Sequence, residues 1–336
     1  MKGTSNTICQ TFESSETYTA LGKMTAKECK PRSKKLKGMK TYKSSCYTQF
    51  MVLAYRTILQ NLREPLIVKT RVYQNIFVAI VLGAIYYNQK LTQSGIMNIN
   101  GALFIFLTNL TFANNFLVVN TFCADMPIFL REYASGLYSV KSYYIAKMVA
   151  QFPMFVLNLM VFVSIFYWMV GFTSGNANFA LFMLVGFLVL MAVLGFGYMS
   201  GSLAPDLPMA MAISPIILTP LVLYGGLFIN QETMPVWLIW IKYLSWFFYG
   251  MEVLMVNQWE EANKLECPPD TSTRCFLTGS EILDFYGFTP NHNFRNMLAL
   301  TALSIGFRFV GFIFLSLRAR RESRWGGQIC SVKLRN

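Results

Sequence analysis

Charge is scarce in this chain of 336 residues, and one long stretch lacks it entirely. Only 13% of the residues are charged and 54% are hydrophobic, whereas a typical globular domain is about 25% charged. The 58 residues from Met148 to Pro205 contain no Asp, Glu, Lys or Arg. Even a helix buried in a soluble protein usually has a polar face, so this run excludes a soluble domain. It is long enough for two membrane crossings of about 20 residues each.

Motifs that carry chemistry are absent as well. A phosphate-binding loop of the form G-x-x-x-x-G-K-[ST] is missing, since the only Gly-Lys pair, Gly22-Lys23, is followed by Met24. The sole histidine, His292, has no Cys or carboxylate at the spacing of metal ligands. We therefore expect no catalytic residue, no metal site and no cofactor on this chain.

The distribution of positive charge predicts the topology. The net charge is +13, yet the segment 231–295 carries four basic residues against eight acidic ones. Cytoplasmic loops are enriched in Lys and Arg, so we place both termini in the cytosol and residues 231–295 outside. The basic blocks flank apolar spans, which argues against nucleic acid as a partner. The exterior of a cell and the lumen of a granule are topologically equivalent. The plasma membrane and an intracellular granule membrane therefore fit this predicted topology equally well.

Apolar segments predict an all-α membrane protein with six transmembrane helices. Residues 1–45 are rich in Ser, Thr and Lys, and we interpret them as a disordered basic arm. Residues 46–66 form an amphipathic helix at the cytoplasmic interface, and residues 67–322 form the transmembrane domain. Its long outside loop, 231–295, follows helix five, and residues 323–336 are a cytoplasmic tail. The expected spans are 68–87, 99–124, 144–170, 179–203, 209–230 and 296–317.

Three features inside or beside the spans need a specific explanation. The second span contains several Asn and Thr residues, which are costly in lipid unless they face protein or water. Gly197 and Gly201 form a G-x-x-x-G that favours close helix packing, with gating as the alternative. Arg308 lies in the middle of span six, where we expect snorkelling or pairing with a carboxylate such as Asp125, with substrate contact as the alternative.

The outside segment contains one candidate disulfide. Cys267 and Cys275 are the cysteines of the chain that the topology places outside. Outside compartments are oxidising, which favours a bond between these two residues. The alternative is two free thiols.

Five stretches of the sequence, in order, resemble one family. They are NINGALFIFLTNLTF (98–112), PIFLREYASGLYSVKSYYIAK (127–147), YGGLFIN (224–230), YLSWFFYGMEVLMVNQW (243–259) and FRFVGFIFLSLRARR (307–321). Together they resemble the ABC-2 type membrane domain of G-subfamily ABC half-transporters, and the White-type insect members that move eye-pigment precursors in particular. The resemblance covers about 47–322 of the chain.

The resemblance implies partners that this chain does not contain. Family members act as homo- or heterodimers of half-transporters, and each half carries a nucleotide-binding domain that uses ATP and Mg²⁺. That domain is missing here, so we expect the chain to be a fragment; the alternative is a partner that supplies ATP hydrolysis. The chain by itself is not expected to be an enzyme.

The resemblance also assigns roles to individual residues. The helix around Arg56 is similar to the connecting helix of the family, and the segment with Arg131 and Glu132 to its coupling segment. Arg56 and Glu132 would form a relay for the ATP-driven movement; the alternative is two solvated charges. The resemblance places an apolar valve at Leu227 and Phe228, and it places the central cavity at Asn109, Phe112, Ala113, Phe116, Thr219, Val222 and Leu223. Ordinary helix packing is the alternative for these residues.

These features favour the transmembrane half of an ATP-driven transporter. Its substrate would be a small planar metabolite such as a tryptophan metabolite, a purine or a pteridine, since the polar second span suits a molecule with hydrogen-bonding groups. Ala113 stands where multidrug relatives have an aromatic clamp, which argues against multidrug transport. Export of lipid, sterol or steroid and a non-transporting scaffold that regulates a full half-transporter are the alternatives, and a channel is weaker because no filter motif is present.

Overall fold

The fold is known from a computed structural model. It describes residues 11, 15–20, 44–63, 65–90, 92–173, 175–226, 237, 239–260, 262, 265 and 275–332, without the side chains of 65, 67, 94 and 323–332. From residue 46 onward the described chain is helical, and the predicted all-α fold is confirmed. Its helices are α1 (Cys46–Arg63), α2 (Pro65–Ile85), α3 (Gln93–Ala134), α4 (Val140–Val170), α5 (Asn176–Leu203), α6 (Leu207–Leu223), α7 (Ile239–Leu244), α8 (Trp246–Trp259), α9 (Gly279–Tyr286) and α10 (Asn293–Val332).

The number of membrane helices agrees with the sequence prediction. Among the described residues, five helices are long and apolar enough to cross a bilayer, namely α2, α3, α4, α5 and α10. The shorter apolar helix α6, with 17 residues, supplies the sixth span. Proline starts α2 at Pro65, where its missing N–H costs no helical hydrogen bond, and this separates α2 from the interfacial helix α1.

Helix α3 is much longer than the sequence suggested. We expected a span of 99–124 that ends before Pro127, but the helix continues to Ala134 with Pro127 inside it. A proline removes only one backbone donor, and a long helix can absorb that loss as a kink. The 42 residues of α3 extend about 63 Å at 1.5 Å per residue, twice the hydrocarbon thickness of about 30 Å. The helix is therefore longer than one crossing of the bilayer requires.

Helix α5 lies at the centre of the bundle, packed against α3 and α10. The two glycines of its G-x-x-x-G motif face α3. A Cβ atom added at Gly197 would lie 3.0 Å from Val118, and one added at Gly201 would lie 3.0 Å from the ring of Phe122. The predicted role of this motif in close packing is confirmed.

Part of the outside segment lies within the helical bundle. All 14 residues of α8 are buried, including Trp246 and Trp259. The indole Nε1 of Trp246 donates to Thr111 Oγ1 at 3.1 Å, and that of Trp259 donates to Asn100 Oδ1 at 2.8 Å. These two hydrogen bonds explain part of the unusual polarity of α3.

The basic residues of α10 make different contacts from the one expected. Arg308 donates to Ser304 and, from Nη2 at 3.2 Å, to the sulfur of Met191, whereas Asp125 pairs with Lys147. The suggested pairing of Arg308 with Asp125 is wrong, because Lys147 on α4 is closer to that carboxylate. Further along α10, the Arg318 guanidinium donates to the carbonyls of Ala204 and Pro205 at 2.6 and 2.7 Å. This contact fixes α10 to the turn between α5 and α6.

Candidate coupling site and transport pathway

Helix α1 and the C-terminal end of α3 meet in an ion pair. Arg56 Nη1 lies 2.9 Å from Oε1 and 3.0 Å from Oε2 of Glu132. Glu132 Oε2 also accepts a hydrogen bond of 2.7 Å from the hydroxyl of Tyr138, in the turn before α4. The two residues that the family resemblance pairs are therefore in direct contact, and the contact joins α1, α3 and the α3–α4 turn.

The surroundings favour a persistent contact. The side chain of Glu132 is 19% exposed, while that of Arg56 is 52% exposed. The hydrogen bond to Glu132 raises the pKa of Arg56, with partial desolvation acting in the opposite direction. Burial, followed by the hydrogen bond to Glu132, raises the pKa of Tyr138 far above its ordinary value. Both donors thus keep their protons at neutral pH.

A second polar contact, which sequence reasoning missed, holds α1 against α4. Gln49 is only 6% exposed, and its Oε1 accepts from the backbone N–H of Ser139 at 3.0 Å and from the hydroxyl of Ser142 at 3.2 Å. Its Nε2 donates to the carbonyl of Ser44 at 3.1 Å. The signal in the sequence was a glutamine on the face of α1 that also carries Leu53, a position where a buried polar side chain needs partners.

Aromatic packing stiffens the same region. The ring centroids of Phe129 and Tyr143 lie 4.2 Å apart, and Tyr138 stacks on Tyr143 at 6.1 Å. Arg131, the third predicted coupling residue, is exposed on α3 and takes no part in the Arg56–Glu132 pair. The structure thus brings together two of the three predicted coupling residues.

The predicted cavity residues divide between two faces of the bundle. On α3, Asn109 and Ala113 line a cavity of about 140 Å³ together with α2 and α4. The rings of Phe112 and Phe116 lie 6.0 Å apart on a neighbouring face of α3. On α6, which packs against α3, Val222 is partly buried, and Thr219 and Leu223 are exposed.

Some predicted residues lie outside the part of the chain that the structure describes. These are the valve residues Leu227 and Phe228 and the cysteine Cys267. Cys275 is disulfide-bonded, and its pairing with Cys267 stays a prediction. Within the described residues, no group of three or more His, Cys, Asp or Glu residues is placed to hold a metal ion.

A larger cavity of about 600 Å³ opens between α1, α2, α3 and α4. Its wall includes the ion pair of Asp125 and Lys147 and the amide of Gln151. Gln151 Oε1 accepts a hydrogen bond of 2.8 Å from Tyr198 on α5. Arg71 on α2 lines both this cavity and the smaller one. Sequence reasoning did not predict the shape of either cavity, because the walls come from three helices in the smaller cavity and four in the larger one.

Comparison with known proteins identifies the family. The model of the ABC-2 type transporter family matches residues 48–259, which include most of α1 and every helix from α2 to α8. The chain belongs to the ABC-2 type transporter family. Among curated proteins, this ABC-2 membrane domain is 38% identical over 284 residues to Protein white of Drosophila melanogaster, covering 84% of this chain and 41% of that protein.

Two further relatives are similarly related to this ABC-2 membrane domain. Protein scarlet of Drosophila melanogaster is 32% identical over 277 residues, which is 82% of this chain and 42% of scarlet. The ABC transporter ATP-binding protein/permease wht-1 of Caenorhabditis elegans is 29% identical over 284 residues, which is 83% of this chain and 42% of wht-1. These relatives confirm the resemblance to White-type G-subfamily membrane domains. The chain spans less than half the length of each of these curated relatives.

Proposed function

We propose that this chain is the transmembrane half of an ATP-driven G-subfamily transporter. It works as a homo- or heterodimer with another half-transporter, and nucleotide-binding domains that hold ATP and Mg²⁺ drive it. The membrane domain itself supplies the substrate path and the contacts that receive the movement.

The observation that carries this proposal is the Arg56–Glu132 contact. A membrane scaffold needs no defined link between an interfacial helix and a membrane helix. Here the link is built from an ion pair, a tyrosine hydroxyl and a buried glutamine, all on the cytoplasmic side. Helix α3 continues without interruption from this link into the membrane, where it lines both cavities. A displacement of α1 at the cytoplasmic surface would therefore move the wall of the substrate path.

We further propose that the substrate is a small planar metabolite, such as a tryptophan metabolite, a purine or a pteridine. The support is the polar lining of the smaller cavity, which includes Asn75, Asn109 and Asn158. Amide groups inside a bilayer are costly unless they face a polar partner. A sterol, with one hydroxyl group, would leave most of these amides without a partner.

Uptake and efflux assays separate the candidate functions. Cells that express the assembled transporter should take up kynurenine or guanine in an ATP-dependent manner and should not gain sterol efflux. Sterol efflux without metabolite uptake would favour the lipid exporter of the same family. If neither activity depends on the chain, but the ATPase rate of a full half-transporter changes when the chain is bound, the protein is a regulatory scaffold.

A further inference from the structure

The larger of the two cavities, of about 600 Å³, passes from a polar end to an apolar end. We call it the amphipathic cavity. Two of its walls, α2 and α4, run side by side in the same direction. Asn75 on α2 donates to the carbonyl of Asn158 on α4, and further along both helices a Cβ added at Gly83 would lie 2.9 Å from Met169. Arg71, about one turn before Asn75, is therefore level with about residue 154 of α4.

The polar end of the amphipathic cavity lies toward the N-terminal ends of α2 and α4. It carries the ion pair of Asp125 and Lys147 and five further polar side chains, namely Gln60, Asn61, Asn120, Thr121 and Gln151. The apolar end is lined along α4 by Pro153, Met154, Phe155 and Leu157. Leu157 is 52% exposed, so this end opens sideways out of the bundle. Such a cavity matches an amphiphile whose polar group lies near the N-terminal ends of the helices.

The charges that line the amphipathic cavity leave one cation without a partner. The charged residues of its wall are Arg71, Asp125 and Lys147. Asp125 and Lys147 pair with each other, whereas Arg71 forms no ion pair with any carboxylate that the structure describes. Arg71 belongs to the membrane span of α2, where an unpaired cation is unfavourable. A ligand with a negative charge at this level would remove that cost.

We propose that the amphipathic cavity binds one anionic phospholipid. The lipid phosphate pairs with Arg71, and the rest of the headgroup faces Gln60 and Asn61 on α1. One acyl chain lies along Met154 and Leu157. The predicted topology places the N-terminal ends of α2 and α4 in the cytosol, and the cytoplasmic leaflet is the one rich in anionic lipids. This lipid stays with the protein and is not transported, so the inference goes beyond the proposed function.

Two other ligands explain the amphipathic cavity less well. A free phosphate ion would pair with Arg71, but it would leave the apolar end in contact with water. A neutral sterol would cover the apolar end, but it would leave the Arg71 cation unpaired within the membrane span. An anionic phospholipid satisfies both ends at once.

The test uses native mass spectrometry to count the lipids that stay bound to the assembled transporter in detergent. The protein is offered phosphatidylserine and phosphatidylcholine with the same acyl chains at equal concentrations. The unsubstituted protein should retain phosphatidylserine about fivefold better, the effect of one additional lipid charge beside a cation. Arg71→Gln should bring the ratio to about one. Lys69→Gln is the matched control, because Lys69 is an exposed cation of the same helix that does not line the cavity, and it should keep the ratio.

A second pair of variants tests the apolar end of the cavity. Leu157→Trp fills the space assigned to the acyl chain and should reduce the retention of both lipids. Met160→Trp is the control, because Met160 is a 51% exposed residue of the same helix outside the cavity, and it should not reduce retention.

Measurements on the unsubstituted protein cover the case in which a variant does not fold. Soluble glycerophosphoserine, which lacks acyl chains, should not displace bound phosphatidylserine. Displacement by it would indicate a site for small anions, and equal retention of the two lipids would indicate no recognition of charge; either result overturns the inference. So would equal lipid ratios in Arg71→Gln and Lys69→Gln, or equal retention in the two Trp variants. None of these measurements depends on transport, so failure of the proposed function would show separately.

Discussion

Reversing the charge at Glu132 should abolish transport without preventing the protein from folding. Glu132→Arg replaces the partner of Arg56 with a second cation, so that the ion pair becomes a repulsion at the contact between α1 and α3. We expect the variant to assemble in the membrane and to lose transport. The combined exchange Arg56→Glu with Glu132→Arg restores opposite charges, and it should recover part of the transport.

The structure sets the size of the energetic effect. Arg56 is 52% exposed, so the ion pair itself contributes only about 0.2–1 kcal/mol to stability. The hydrogen bond from Tyr138 to the Glu132 carboxylate is more buried, and it contributes about 1.5–3 kcal/mol. Glu132→Arg loses both contacts, about 2–4 kcal/mol together. A complete loss of transport in a variant that still assembles would therefore reflect a broken link between α1 and α3.

The matched control is Tyr138→Phe, which removes the larger stabilising contact and leaves the ion pair in place. Transport rate, amount of assembled transporter and thermal stability are measured for each variant. We expect Tyr138→Phe to lower stability more than Arg56→Ala does and to keep most of the transport. If Glu132→Arg transports normally, or if Tyr138→Phe abolishes transport as completely as Glu132→Arg does, the relay assignment is refuted.

Two further predictions concern the packing of the bundle. Gly197→Ala places a Cβ 3.0 Å from Val118 and should lower the stability of the protein by about 1–3 kcal/mol. Gly306→Ala is the control, because a Cβ there meets nothing within 4 Å, and it should not lower the stability. Equal shifts of the melting temperature in the two variants would contradict the packing role of Gly197. Arg318→Ala removes the hydrogen bonds to Ala204 and Pro205 and should lower stability by about 1.5–3 kcal/mol. Arg321→Ala changes an exposed residue of the same helix and should leave the stability unchanged. Hydrogen exchange at residues 204–206 should become faster only in the Arg318 variant.

Local sequence patterns predicted the helices but not all of their ends. The repeat of Phe50, Leu53, Ala54, Ile58 and Leu62 on one face predicted the helix α1. Leu53 and Ala54 are buried as that pattern requires, whereas Ile58 and Leu62 are exposed. Pro127 misled the prediction for α3, because a proline signals a weak point in a helix rather than a certain end. What decides the outcome is packing by α4 and α5, which lies far away in sequence.

The candidate site was predictable only where a resemblance supplied the pairing. Arg56 and Glu132 are 76 positions apart, and neither segment contains a local pattern that indicates the other residue as its partner. The Asn residues of α3 signalled polar partners without saying which ones. Asn100 accepts a hydrogen bond from Trp259 on α8, whereas Asn109 lines the smaller cavity. Such partners depend on how helices are arranged around α3, which hydrophobic periodicity does not encode.

The central claim is that this membrane domain moves a metabolite when ATP is hydrolysed. Its most direct test is uptake of labelled kynurenine by sealed vesicles that contain the assembled transporter, with ATP or with a non-hydrolysable analogue. We expect saturable uptake with ATP, background uptake with the analogue, and loss of the ATP-dependent uptake in Glu132→Arg. Uptake that is equal with both nucleotides, or absent with both, would contradict it.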